Sequence, residues 1–541
     1  HNINMSEYLE TYGYRNRKED RNLGLEVSQG QTLGLVGGDI FLRGGNLTSD
    51  GGRVELGSVQ NGVVEITTDR TLSYDKNLEF GQIILSEASS IDISGNGRVE
   101  FQIQGEEINV QDNSLILGKI LGDEDGGNSI IRASKSIKIG PTKPFEKIPV
   151  KIKIVNFTYT FNKTMSSIFL NTYGKGDVGE LRVKTESLTL QDGAVMSAGT
   201  VGQGNAGNLT VSARDIEMSG FVVVTTITET TGNGGNLTVE VAESLTLQDG
   251  AVMSAGTVGQ GNAGNLIVSA RDIEIIGKSP DGKSFSSLTA EAKKESTGAA
   301  GTITINTETL NLRNEAEIIV TSATQQAAGD LIINSNNIRL ENQASLKAET
   351  KAGEGSITIN NNKDLILRNN SNITTNSEGT ATGGNITINT ENLVARDNSD
   401  ITANAVEGFG GRVNITAAGI FGTEFRTEAT DKSDITATSE LGASFSGEVN
   451  INTPDVDPSD GLVEFDDTIP DISNLLDQNP CRQGQKSKFI ITGRGGLPPT
   501  LEEPLAPTYV WQDSETSVTP PPAITPSEQE FIEAQGWISN S

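Results

Sequence analysis

The chain has 541 residues, of which 61 are Gly and 5% are aromatic, with one Cys, one His and a formal net charge of −30. That charge argues against nucleic acid, which selects basic faces. The lone Cys481 rules out an internal disulfide, and no apolar run is long enough for a membrane-spanning helix.

Read in chain order, residues 1–22 form an N-terminal remnant that opens on His1 rather than Met. The natural start, with any export signal, is therefore expected to lie upstream. Residues 23–140 are rich in Thr, Ser, Ile and Val, which predicts short strands. They carry a loose Gly–polar–X phrase: Gly38-Asp-Ile, Gly52-Arg-Val, Gly97-Arg-Val and Gly127-Asn-Ser. Residues 141–178 are expected to be an irregular excursion, because the phrase is lost between Pro141 and Tyr173.

From 179 to 453 the phrase becomes regular, at Gly179, Gly207, Gly235, Gly264, Gly301, Gly329, Gly355, Gly384, Gly411 and Gly447. The steps are 28, 28, 29, 37, 28, 26, 29, 27 and 36. The two long steps predict inserted loops near Lys278 to Ser286 and Phe421 to Lys432. Glu186 to Glu217 recurs as Glu243 to Glu274 with one change, Thr210 against Ile267, an offset of 57 or two units.

Each unit holds three short alternating segments, exemplified by Leu209-Thr-Val211, Ile216-Glu-Met218 and, in a later unit, Asn372-Ile-Thr374. In a strand, residues i and i+2 share a face. Three such strands cannot bury their inner faces alone, but stacked on the next unit they can. The predicted fold is all-β: a parallel β-solenoid of about 28 residues per coil, with three strands in each. Asn208, Asn236, Asn265 and Asn385 follow the repeat glycines, and a corner ladder of Asn side chains is expected there. Residues 454–496 read as a closing segment. Residues 497–541 hold 8 of the 16 prolines and read as a disordered Pro-rich tail.

Few residues invite chemistry. GQGNAG occurs at Gly202 to Gly207 and Gly259 to Gly264, but a strand follows where a dinucleotide fingerprint needs a helix, so it reads as a turn. His1 is the only histidine, and Cys481 in NPCRQGQ has no internal His partner, which removes Ser-His-Asp, Cys-His and histidine-zinc arrangements. Asp192 and Asp249 in LQDGA, with Asp215 and Asp272 in ARDIE, are the remaining candidates. Aligned in columns they could bind Ca²⁺ or work on glycans, as could DEDGG at Asp123, although a solvated turn is the favoured reading. No catalytic, cofactor-binding or metal residue is assigned.

Several phrases resemble a known family. Gly24 to Val59, GLEVSQGQTLGLVGGDIFLRGGNLTSDGGRVELGSV, is similar to the end of the haemagglutination-activity domain of filamentous-haemagglutinin-like exoproteins. GIFGTEFR (Gly419 to Arg426), SDITATSELG (Ser433 to Gly442) and GEVNINTPDVDPSDGLVEF (Gly447 to Phe465) resemble closing segments of its cyanobacterial branch, as do FIITGRGGLPP and YVWQD farther on. The resemblance implies a right-handed parallel β-helix exported by two-partner secretion through an Omp85-class outer-membrane transporter. By that resemblance, this sequence is expected to hold only the last portion of the family's amino-terminal secretion domain. The functional expectation is an adhesin-like, extracellular or surface protein that binds glycans, cells or matrix and is not an enzyme. A polysaccharide-active β-helix enzyme is the alternative. A toxin stalk is disfavoured, because the Pro-rich tail supplies no compact toxin module.

Overall fold

The computed structural model describes residues 24–454, apart from 69–70, 76, 143–149, 155–156 and 162–164. Its described core is a parallel β-helix. Leu209 pairs with Leu237, Leu237 with Leu266, Leu266 with Ile303 and Ile303 with Leu331, so each strand lies on the equivalent strand one coil away. The pairing steps are the glycine steps of the sequence. Neighbouring strands in a sheet lie about 4.8 Å apart, and that is the rise per coil.

In most coils two of the three expected strands are one continuous strand, whereas Glu180–Lys184 and Ser187–Gln191 remain separate. Asn208–Ser219 buries Leu209, Val211 and Ala213, then turns outward at both Arg214 and Asp215 before burying Ile216 and Met218. Its pairing with Leu237–Gln248 slips between Ala213 and Asp215. Two successive outward residues reset the alternation, and the strand bends around a corner to supply two faces. The third face is a 15-stranded parallel sheet of short strands, among them Val195–Ser197, Val223–Thr225 and Val252–Ser254.

The core is a set of aliphatic columns. Leu209, Leu237, Leu266, Ile303, Leu331, Ile357, Ile386 and Val413 stack on one another with no exposed surface. Each buried side chain contributes roughly 1.5–3 kcal/mol, offset by the entropy of ordering the chain. Every rung buries its inner face against two others, which is why single coils have no independent stability.

The repeat glycines have a steric cause. A Cβ at Gly235 would lie 1.9 Å from the carbonyl oxygen of Gly207, and one at Gly264 would lie 1.9 Å from that of Gly235. The column continues through Gly301 and Gly329, where a Cβ would lie 1.8 Å from the glycine oxygen one coil back. None of these four has positive φ, so close backbone approach, not a left-handed turn, demands glycine there.

Both inserted loops fall where the long steps place them. Lys278 and Phe285 form an antiparallel bridge at the base of the first. The second contains Thr423–Phe425, which adds a parallel strand beside Ser433–Thr436. The excursion at 141–178 is narrower than its sequence suggests. Val150–Ile154 pairs antiparallel with Phe157–Phe161, but Ser167–Thr172 is already a strand of the third face, lying between Leu115–Ile120 and Val195–Ser197. Residues 1–22, Cys481 and the Pro-rich tail lie outside the described residues.

Candidate functional site

Outward side chains of the first face form columns along the rod. One runs Ser269, Asn306, Asn334, Asn360 and Asn389, residue on residue. The Asn334 amide donates to Asn306 Oδ1 at 2.9 Å, Asn360 to Asn334 at 3.0 Å and Asn389 to Asn360 at 3.1 Å. Two residues earlier in each strand stand Thr304, Ile332, Thr358 and Thr387. The array repeats at about 4.8 Å along the rod and about 6.6 Å across it. A carboxamide has two N–H donors and two acceptor lone pairs on oxygen. Each ladder bond uses one donor and one acceptor, so an interior rung keeps one of each for a ligand, already oriented.

The corner asparagines ladder through the backbone instead. Asn208 Oδ1 accepts from the Asn236 N–H, Asn236 from Asn265 and Asn265 from Thr302, at 2.9–3.0 Å. Asn385 departs from the expected ladder: its amide donates to Glu354 Oε2 at 3.1 Å, and the rung before it holds Ser356, which has no carboxamide to offer. A parallel ladder begins in DEDGG. Asp125 accepts from the Asp177 N–H at 2.8 Å and Asp177 from Asn205 at 2.7 Å; Asn205 then accepts from Asn233. Asp125 of that stretch takes the structural role that Asp177 fills one coil on and Asn205 and Asn233 fill two and three coils on.

The aspartate columns expected from the duplication are interrupted. A 57-residue offset places equal letters two coils apart, so another residue always lies between them. Ser244 separates Asp215 from Asp272 and donates to Asp215 Oδ1 at 2.8 Å. Each acid also pairs with its own neighbour, Arg214 or Arg271, at 2.9 Å. Asp215, Glu217, Ser244 and Thr246 line a shallow polar groove of about 250 Å³ on the second face.

Asp192 and Asp249 stand at turns with φ of 38° and 58°, a conformation that Asp and Asn tolerate better than most residues. Gly220 lies over Asp192, where a Cβ would meet its Oδ1 at 2.5 Å. Partial desolvation, and secondarily the Asp249 charge, raise the Asp192 carboxyl above the usual aspartate range. Among the described residues, no three His, Cys, Asp or Glu side chains gather as a metal-binding group.

A second groove, of about 370 Å³, was not legible in the sequence. The hairpin of Val64–Ile66 with Leu72–Tyr74 is anchored to the first face by the Gln102 side chain, whose Nε2 donates to the Leu72 carbonyl at 3.0 Å. Tyr74 lies against Gly57: a Cβ there would come within 2.4 Å of the phenol oxygen. Its ring packs on Phe80 with centroids 5.9 Å apart. Burial, and then the nearby Glu55 charge, push the Tyr74 hydroxyl well above its ordinary range. The groove runs between this aromatic pair and the outward column of Gln104, Arg132 and Lys184, with Asp75 and Glu186 also lining it. The only sequence signal was local: a Tyr and a Phe close together in an aromatic-poor chain.

The chain matches no family model, no curated protein and no solved structure. The described residues contain no helix long and apolar enough to cross a membrane.

Proposed function

We propose that this chain is an adhesin-like exoprotein, surface-exposed or released, that binds carbohydrate along the outer faces of its β-helix. The observation that supports the reading best is the asparagine ladder from Asn306 to Asn389, set beside Thr304, Thr358 and Thr387. Side chains locked to one another lose little further entropy when a ligand arrives. Their unused donors and acceptors repeat at about 4.8 Å, a spacing on the scale of a sugar ring. Each contact is weak, and repetition along a polymer supplies avidity. The resemblance of Gly24 to Val59 and of Gly419 to Phe465 to two-partner secretion exoproteins adds export through an Omp85-class transporter as the expected route.

The test incubates the full chain with neutral and acidic polysaccharides and follows retention and polymer length together. Retention with length unchanged is the expected result. Shortened polymer would replace the binding reading with the enzymatic one, and no retention on any polymer or cell surface would sink it.

A further inference from the structure

We propose that the groove between the Tyr74–Phe80 pair and the Arg132–Lys184 column binds a carboxylate-bearing saccharide, a uronate unit within a glycan. The inference rests on the carbohydrate-binding reading above but concerns a different, localised site.

Charge is the first observation. In the two neighbouring columns of this face the cations are committed: Arg53 to Glu55 and Glu100, and Arg182 to Glu180. Arg132 and Lys184 pair in register one coil apart, are both exposed, and have no ion-pair or hydrogen-bond partner for their side chains among the described residues. Two free cations held side by side are notable in a chain of net charge −30. A guanidinium offers a carboxylate two parallel donors, and an ammonium beside it adds a third.

Shape and the remaining polar groups narrow the ligand. The half-buried rings of Tyr74 and Phe80 form one wall, and an aromatic face suits the C–H surface of a sugar ring. The carboxylates of Asp75 and Glu186 are acceptors, matched to sugar hydroxyls. They also disfavour a densely sulfated glycan, which brings several anions on one sugar unit against two carboxylates, whereas a uronate chain carries one per unit. A single carboxylate among hydroxyls satisfies all six side chains. The groove has the volume of a small-molecule site.

The test measures binding of trigalacturonate, its methyl ester and a trisaccharide carrying several sulfates per unit to the full chain by calorimetry. The expected result is that trigalacturonate binds most tightly, and that the double variant Arg132→Ala/Lys184→Ala weakens it at least tenfold. The methyl ester, lacking the charge, should bind weakly and be indifferent to that double variant. Phe80→Ala should weaken acid and ester alike. Both cations are exposed and unpaired, so the double variant keeps the fold, and its circular dichroism checks this. The proposal is overturned if the double variant leaves trigalacturonate binding unchanged, if the sulfated sugar binds as well, or if no trisaccharide binds. Neutral polysaccharide retained by a chain that ignores trigalacturonate would remove the groove and leave the rod reading standing. Trigalacturonate binding that depends on Arg132 and Lys184, with no polymer retained, would do the reverse.

Discussion

Gly207 presents its carbonyl oxygen 1.9 Å from where a Cβ of Gly235 would lie, one coil away. Neither partner can give way, because both belong to the backbone of adjoining rungs. The same contact recurs along most of the glycine column, across long steps and short ones, so it marks the corner where one coil meets the next whatever the loop between them.

Gly235→Ala therefore costs about 2 kcal/mol or more, and the loss is felt by the coils on either side because a solenoid is coupled to its neighbours. Gly34→Ala is the control, since a Cβ there meets nothing within 4 Å; it changes stability by less than about 0.5 kcal/mol. Urea denaturation followed by circular dichroism separates the two. Equal midpoints for both variants would refute the steric explanation.

Replacing Asn334 by Ala removes two ladder bonds, to Asn306 and from Asn360. The site is solvent-accessible, so the stability cost is about 1 kcal/mol. Polysaccharide retention should fall by a larger factor, about tenfold for the triple change at Asn306, Asn334 and Asn360, because a repeated weak contact is lost several times over. Retention that follows stability alone would deny the ladder a binding role.

Asp400 is half-buried, and burial above all raises its carboxyl above the usual aspartate range. The Asp434 charge adds to this, while the hydrogen bond from the Asp434 N–H and the nearby Arg426 oppose it. A raised acid binds its proton more tightly in the folded state, so its contribution favours folding below the unfolded pKa and is lost as pH rises through the folded one. Asp400→Asn keeps the acceptor for the Asp434 N–H and removes the charge. The variant should be more stable than the parent at pH 7, with the difference closing on acidification through the ordinary aspartate range. Denaturation midpoints against pH check this, and a difference that widens in acid would reverse the assignment.

Arg426, on the second inserted loop, pairs with Glu424 and with Asp434, which has no exposed surface. It also donates to the Ser433 carbonyl at 2.9 Å. Among the described residues, Arg426→Ala leaves this buried carboxylate with only Thr430 as a side-chain donor. The expected cost is about 3 kcal/mol, seen first as faster amide exchange in Thr423–Phe425 and Ser433–Thr436. Unchanged exchange there would show that the loop holds itself in place without the arginine.

Coil length, the two inserted loops and the inward residues were all legible in the sequence, since each is local. Leu188 and Leu190 must share a face, and Gly207 to Gly235 to Gly264 counts the coils without any knowledge of what they touch. The aspartates show where that reasoning stops. Asp215 and Asp272 look like a column because they are the same letter in the same phrase, yet Ser244 stands between them. The corner at Ala213 to Asp215 was equally hidden, because a bulge leaves the hydrophobic letters in place and alters only their phase.

By itself, the sequence determined that this chain is a stack of like coils, because alternation and glycine spacing act through nearest neighbours along the chain and directly across it. Only the tertiary structure decided which side chains meet without a repeat to announce them. Tyr74 reaches Gly57 because a hairpin folds back across the first face, and Arg132 reaches Lys184 because an offset of 52 residues is spanned in a single step of the rod. Contacts of that kind are set by how the chain returns to the rod after an insertion, and no local pattern of letters encodes the return.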